Sequence, residues 1–315
     1  MPTKCSTFSR LLQPIGDEDV YEGIRSPSVH TPKTMSDLVS VATRFPNATL
    51  WAGGTFIMSR ENYYPTRDSN DIINLSEVPE LTRINRTDRY LEIGSMVTFE
   101  QMLKVGKQVL PGLLQTTLEQ TATMILRRQI TLGGAICTQQ VRLALPGTLY
   151  ALQAEVEVKT CLGPKTETKW IEIQRLYDRQ GVLQLKRNEI VTRVRLGFDR
   201  DNFSTFIAAG MPMQNPRETV YLSFACSYNQ SVIQNFRMCL NFPTSLLLVP
   251  QEIDMMMQGT LLPLTSQQIG RVVRSVMEEV LGSSTSEIPP IQIERARSFV
   301  ESALHELNAQ SLSER

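Results

Sequence analysis

The stretch Leu126-Arg127-Arg128-Gln129-Ile130-Thr131-Leu132-Gly133-Gly134-Ala135-Ile136 places a glycine pair behind a helical pattern. A second pair stands earlier, in Thr49-Leu50-Trp51-Ala52-Gly53-Gly54-Thr55, directly behind a short strand pattern. Glycine lets the chain turn sharply and lets backbone N–H groups face a ligand at close range. A single pair after a strand is more often only a tight turn. Two pairs embedded in α/β patterning would suit the two phosphates of one dinucleotide. Neither is a Rossmann fingerprint or a P-loop, since the chain contains no G-x-G-x-x-G and no G-x-x-x-x-G-K-[ST].

The elements around the two turns follow from periodicity. Thr34 reads as the N-cap of a helix with Asp37 three residues on and an apolar stripe at Leu38, Val41, Ala42 and Phe45. Asp71 to Leu75 and Tyr90 to Val97 read as buried strands. Thr98 and Gln101 form a capping box for a helix carrying Met102 and Val105, which Pro111-Gly112 interrupts. A second helix is striped by Leu114, Leu118, Thr121, Ala122 and Ile125 and runs into the later glycine pair. Strands are expected around Ala154–Lys159, Trp170–Ile173 and Ile190–Leu196.

Asp199 to Asn202 reads as a linker. Beyond it, Val220, Leu222, Phe224, Cys226 and Tyr228 alternate with smaller or more polar residues, as in a strand. A turn at Asn229-Gln230 returns the chain along Val232 to Leu240. A helix over Ser266–Leu281 has Thr265 as N-cap, Gln268 for its capping box and Gly282 as its stop. A last helix uses Ala296, Val300, Ala303, Leu304 and Leu307, and the polar tail after Asn308 is expected to fray.

Composition narrows the function classes. The chain has 315 residues, 41% hydrophobic and 20% charged, enough for two cores, since single cores stop growing at roughly 250–300 residues. Lys plus Arg equals Asp plus Glu, so no global field steers it to nucleic acid or an anionic membrane. No signal peptide is expected at the start. The longest aliphatic run, Leu246 to Val249, is too short to span a bilayer. Cys5, Cys137, Cys161, Cys226 and Cys239 include no C-x-x-C pair. This speaks against a zinc site, a disulfide framework and a four-cysteine iron–sulfur centre, and fits a reduced cytoplasmic protein. The two histidines, His30 and His305, read as surface residues, and no G-x-S-x-G is present. The methionines, Met255-Met256-Met257 among them, read better as core filling than as a partner surface.

The order of motifs is more specific than any one of them. Ala52-Gly53-Gly54-Thr55 is followed by Ile72-Ile73-Asn74-Leu75 with Pro79-Glu80-Leu81. Leu91-Glu92-Ile93-Gly94-Ser95-Met96-Val97-Thr98 and the segment from Leu126 to Ile136 come next. This order resembles the FAD-binding subunits (medium chains) of the molybdenum hydroxylase family, as in carbon monoxide dehydrogenase and bacterial xanthine dehydrogenase. The resemblance implies an α+β fold. An N-terminal extension over 1–27 would precede a PCMH-type FAD-binding domain of two α/β subdomains over 28–200. A smaller α+β domain with an antiparallel sheet and helices would follow over 201–310, where Asp254, Met257 and Gly259 approximate a short family signature.

It also implies a cofactor and partners. FAD would lie against Ala52, Gly53, Gly54, Thr55, Phe56 and Ile57, whose amides would wrap the pyrophosphate. Thr98, Arg127 and the segment Thr131, Leu132, Gly133 and Gly134 would complete the contacts. Molybdopterin and [2Fe-2S] clusters would sit on a large and a small partner subunit. Electrons would pass through FAD to an acceptor such as NAD, with no catalytic residue and no metal on this chain. Departures from the family are equally legible. Its Asn after the glycine pair is Ala135 here, Gln140, Val141 and Ala144 stand where it runs to an Asp that hydrogen-bonds the sugar part of the flavin, and no Lys or Arg stands around Phe206 to Gly210 near Ile207. A lost charge-assisted hydrogen bond costs roughly 1.5–3 kcal/mol. Either Gln139, Gln140 or Arg142 substitutes, or the chain is a non-catalytic scaffold or assembly subunit that kept the fold and weakened its hold on FAD.

Overall fold

The computed structural model describes residues 28–59, 71–106, 108–161, 166–178, 181–198, 201–283 and 288–314. The expected extension over 1–27 and two linker residues, Asp199 and Arg200, lie outside them. The chain opens with β1 (Ser28–His30), α1 (Met35–Arg44), β2 (Thr49–Trp51), a short α2 (Thr55–Met58) and β3 (Asp71–Asn74). β1 and β2 flank β3 and run parallel to it. Thr34 Oγ1 accepts the Asp37 amide at 3.1 Å and so starts α1 where the sequence places it. Leu38 points from α1 into a core with Ile73, Leu75, Val78 and Leu81. His30 is not the free surface histidine expected. Its ring stacks on Phe45 at 4.1 Å, and Nε2 lies 2.9 Å from Asp71 Oδ1.

The next unit contains β4 (Ile84–Arg86), β5 (Tyr90–Gly94), α3 (Phe99–Lys104), α4 (Gly112–Thr121) and α5 (Met124–Arg127). It continues with α6 (Leu132–Cys137), α7 (Leu145–Ala151), β6 (Glu155–Thr160), β7 (Glu167–Glu172) and β8 (Glu189–Gly197). Its sheet has the order β4-β5-β8-β6-β7, antiparallel at every pairing. Leu91, Ile93, Val156, Val158, Val194 and Leu196 cover the helices from one face. The other face is polar: Arg193 bonds both Glu92 and Glu157, and Arg195 lies over Trp170 and Tyr90. β5 stops at Gly94 rather than Val97, because the Val97 amide turns back to the Gly94 carbonyl. The single helix expected over 114–125 is two. Ala122 is extended (φ −152°, ψ 160°), and Ile125, read as core, is 75% exposed.

The last unit has β9 (Phe203–Ala209), β10 (Val220–Asn229), β11 (Val232–Phe242) and β12 (Leu246–Leu248), in the order β12-β11-β10-β9 and all antiparallel. Helices α8 (Gln251–Met257), α9 (Ser266–Ser283) and α10 (Pro290–Ser313) follow. Leu222, Phe224, Val272, Val276, Val300 and Leu304 share one core. Tyr221, Ala225 and Phe206 face the opposite way, onto Leu113, Ala144 and Ala151. A sheet covered on both faces has little reason to alternate strictly, and β9 puts Phe203 and Ile207 on one face and Phe206 on the other. The hairpin turn sits one residue later than expected. Gln230 and Ser231 both take positive φ, 47° and 66°, the geometry of a two-residue turn matched to strand twist.

Three other expectations need correction. α9 passes through Gly282 to Ser283 instead of stopping at the glycine. The described part of the linker is bonded: Asp201 pairs with Arg237, and the Asn202 side chain accepts the Tyr228 amide at 2.8 Å. The tail does not fray, since α10 runs to Ser313 with Ser311 buried. Gln310 donates to the Asn202 carbonyl, and the Tyr228 hydroxyl donates to Glu314 at 2.7 Å. Deleting residues 309–315 should therefore lower the thermal midpoint by about 2–8 °C, the effect of losing about 1–2 kcal/mol. An unchanged midpoint in a melt followed by circular dichroism would show the tail to be dispensable.

Candidate functional site

The two glycine turns meet. A Cβ built on Gly53 would fall 1.8 Å from the Gln129 carbonyl oxygen, with Thr131 Cγ2 at 3.5 Å. Only a residue without a side chain lets these two backbones approach so closely. Gly54 takes φ 69° at the N-cap of α2, and its Cβ would strike the Trp51 ring at 2.5 Å. Thr55, Phe56 and Ile57 form the half-buried α2, and Ala52 packs against the core of the parallel sheet.

The later turn is laced to the segment that follows β5. Thr98 and Thr131 form an antiparallel bridge. The Phe99 amide donates to the Ile130 carbonyl at 3.0 Å, the Leu132 amide to Val97 at 2.9 Å, and the Gly133 amide to Ser95 at 2.7 Å. Gly133 has no room for a side chain either, since its Cβ would lie 2.8 Å from Ser95 Cβ. Thr98 also caps α3 in the expected box, with both reciprocal bonds present. Three motifs that are distant in sequence thus share one locus.

The two turns differ in what they offer a ligand. The Gly53, Gly54 and Thr55 amides have no protein acceptor among the described residues. Three consecutive open donors, one beside a left-handed residue, make a nest for an anion. The second turn has no such nest. The Leu132 and Gly133 amides are bonded as above, and the Gly134 amide donates to Thr131 Oγ1 at 3.2 Å. Its glycines serve close packing, which corrects the expectation of two equivalent nests. Ser95 Oγ, buried against Gly133 and without a partner among the described residues, is the polar atom the motif reading missed. A buried unpaired hydroxyl costs free energy unless something completes it. A bound diphosphate ester with polar substituents fits this donor set.

The substitutes proposed for the missing carboxylate do not all survive. Arg142 is buried and donates to the Gly181 carbonyl at 3.0 Å and the Phe242 carbonyl at 3.1 Å. Burial pulls its guanidinium below the ordinary arginine value, against the opposing influence of Tyr177, Cys239 and Asp178 nearby. It fastens the loop before α7 to the C-terminal sheet and is not available to a sugar. Gln139 and Gln140 remain exposed. Ala144 is wholly buried against Phe206, Tyr221 and Ala225, and Ala135 lies in the apolar core beneath α6. Ile207 faces the core of α9 and α10, so strand alternation gives that position to packing. Arg127 donates from Nη1 to the Glu119 carbonyl at 2.9 Å and so closes the end of α4, while its Nε is buried without a partner among the described residues.

A second polar cluster lies elsewhere. The Tyr150 hydroxyl donates to Asp254 Oδ2 at 2.7 Å, and the Met238 amide also faces this buried carboxyl. Burial pushes the Asp254 carboxyl up to about 7, against the Tyr150 hydrogen bond and the charge of Arg237, which pull it down. Tyr150, Arg237 and Asp254 line a cavity of about 370 Å³. Neither glycine turn contributes to its wall.

Comparison with known proteins adds the following. The family model described as "FAD binding domain in molybdopterin dehydrogenase" matches residues 23–197. The chain is 28% identical over 170 residues to the xanthine dehydrogenase FAD-binding subunit of Escherichia coli O157:H7, covering 52% of this chain and 55% of that one. It is 24% identical over 185 residues to xanthine dehydrogenase 2 of Arabidopsis thaliana, where the match covers 54% of this chain and 13% of the relative. The match thus spans about half the length of the bacterial relative. Among solved structures, the carbon monoxide dehydrogenase from Hydrogenophaga pseudoflava superposes with a TM-score of 0.76 at 16% identity. The quinoline 2-oxidoreductase from Pseudomonas putida 86 does so at 0.72 and 17%. Each of these two matches covers 91% of this chain and 98% of the other chain. The fold of those structures, mixed α and β with several sheets, is the fold of this chain.

Two outcomes follow from the geometry. Gly53→Ala should cost about 1–3 kcal/mol by forcing the Gln129 backbone away. Gly112→Ala, where a Cβ meets nothing within 4 Å, should be neutral or stabilise by up to about 1 kcal/mol. Equal denaturation midpoints for the two variants would contradict the close approach. Asp254 supplies a pH dependence. Its carboxyl is held up in the fold to about 7 and titrates near pH ~4 when unfolded. Its stabilising effect is therefore complete below about pH 4 and is lost as pH rises through about 7. Asp254→Asn should flatten that part of the stability–pH curve in urea melts between those limits, and an identical slope in both proteins would refute the assignment.

Proposed function

Because the chain belongs to the family of FAD binding domains in molybdopterin dehydrogenase, whose model matches residues 23–197, we propose that it is the FAD-binding subunit of a molybdenum-hydroxylase-like enzyme. The observation that carries this reading is the meeting of the Gly53-Gly54 turn, the Ser95–Thr98 segment and the Thr131–Gly134 turn, with three amides left open. In this reading the Gly53, Gly54 and Thr55 amides hold the FAD pyrophosphate, and Ala52, Phe56 and Ile57 shape the turn around it. Thr98, Thr131, Leu132, Gly133 and Gly134 form the facing wall, where Ser95 Oγ gains its missing partner. Arg127, with Nη1 on the end of α4, borders the second turn.

FAD held there would supply the redox chemistry, taking electrons from [2Fe-2S] clusters of a small subunit, reduced in turn by a molybdopterin-bearing large subunit, and passing them to an acceptor such as NAD. The chain's own residues bind and orient, and none of them performs a covalent step. We divide it into a flavin domain over 28–200 and a C-terminal domain over 201–310, and place it in the cytoplasm. Among the described residues no helix is long and apolar enough to cross a membrane.

A second reading has an observation of its own. Ala135 and Ala144 are buried among apolar side chains, and the second turn has spent its amides on the protein. A chain that retained the fold as an assembly scaffold, with FAD binding weakened or lost, would look like this. One experiment separates the two. The purified chain is incubated with FAD, desalted and scanned in the visible range, and the flavin is then released by denaturation and counted. Flavin retained at about one per chain, with riboflavin retained at least about tenfold less because it lacks the pyrophosphate, supports the first reading. No retained flavin supports the scaffold.

A further inference from the structure

The cavity of about 370 Å³ lies where the first half of the chain meets the C-terminal sheet. Its wall combines residues around the end of α7 and from β6 and β7 with residues of β11 and α8. Pockets that hold small ligands are of this size and favour such junctions. The chemistry of the wall is unusual for a packing defect. Arg237 is only 8% exposed. Its Nε donates to the Ala151 carbonyl at 2.7 Å and its Nη2 pairs with Asp201. Nη1 has no partner among the described residues, although the side chain lines the cavity. The two bonds explain why an arginine holds α7 and the start of β9 together. They leave the third nitrogen unexplained.

The opposite sign is also present. Glu155, Glu172 and Asp254 line the same space. Glu155 and Glu172 are ion-paired with Arg195 and Arg175 at their outer sides. Asp254 has one oxygen on Tyr150, and the Met238 amide also faces its carboxyl. Carboxamides of Gln153, Gln234 and Gln258 complete much of the remaining polar wall. Gln153 adopts φ 53° immediately after α7. That conformation belongs to the end of α7, where the Gln153 amide donates to the Tyr150 carbonyl at 2.9 Å and the Ala154 amide to the Leu149 carbonyl at 2.8 Å.

We infer that this cleft is a second ligand site and that it takes a small zwitterion of the α-amino-acid type, with the carboxylate on Arg237 and the ammonium among the three acidic side chains. With Nε and Nη2 engaged, Nη1 of Arg237 offers a ligand carboxylate a charge-assisted hydrogen bond, the kind that is strongest when shielded from water. Asp201 holds Nη2 of Arg237 and leaves Nη1 toward the cleft, while Glu155, Glu172 and Asp254 stand on its other sides, so a ligand of a single sign would meet a like charge somewhere on the wall. A zwitterion satisfies both signs, and the carboxamides can donate to or accept from a polar side chain beyond it.

The test is calorimetric titration of the full chain with the common α-amino acids, each alone, repeated with FAD present so that the result does not depend on the flavin reading. The expected result is saturable binding of one molecule per chain by at least one of them. N-acetylation of that amino acid, or conversion of its carboxylate to an amide, should weaken binding by about tenfold or more, as loss of a charge-assisted hydrogen bond would. Arg237→Gln removes a residue that also braces the fold. Gln234→Trp, which fills the cleft from an exposed strand position, and Glu172→Gln at the rim are therefore the informative variants, and both should weaken binding while leaving the melting midpoint in place. No saturable binding by any α-amino acid would overturn the proposal, as would binding that Gln234→Trp leaves untouched.

Discussion

At Gly53 the backbone of one α/β unit lies against the Gln129 carbonyl of the next, at a distance no side chain would permit. The parallel sheet reaches this point through β2, and the antiparallel sheet reaches it through the Thr98–Thr131 bridge. The contact therefore does more than turn the chain. It brings the turn with the open amides of Gly53 to Thr55 against the backbone that leads into the Thr131–Gly134 turn. A methyl group at residue 53 would displace the backbone on which the second turn is built, and the cost would be felt in the core as well as at the ligand.

The C-terminal sheet is fastened to this assembly by buried cations bonded to carbonyls. Arg142 bonds Gly181 and Phe242, and Arg237 bonds Ala151 and pairs with Asp201. A chain of hydroxyls, Thr117 to Thr148 to Ser223, joins α4, α7 and β10 at 2.8 and 2.9 Å. Buried polar groups are tolerated where they are bonded, and once bonded they specify one arrangement over its neighbours. This explains the region that departs most from the family pattern. Arg142 and Ala144 stand in the loop and helix start that contact the C-terminal sheet, and both positions are used for packing and bracing.

The two candidate sites lie toward opposite ends of one short stretch of chain. The Thr131–Gly134 turn opens α6, and the loop with Arg142 leads to α7, whose last residues border the cleft of Arg237 and Asp254. The first site is made by backbone, through glycines and open amides. The second is made by charged side chains drawn from strands far apart in the sequence. That difference in construction accounts for how legible each was.

Local features were readable from the residues because the physics behind them is local. Thr34, Thr98 and Thr265 start their helices where the capping pattern puts them. Motif order was enough for the family and for the α+β fold, since a glycine turn after a strand leaves its mark at fixed positions. Tertiary structure decided whatever depended on a neighbour distant in sequence. It showed that the second turn's amides are spent on Ser95 and Val97, that Arg142 is buried, and that Ile207 faces away from the first unit. It split the helix at Ala122 and docked the tail after Asn308, and it brought Arg237 to Asp254 and Tyr150. No pattern along a chain encodes which carbonyl a donor will meet, because that partner is selected only when sheets and helices close on one another.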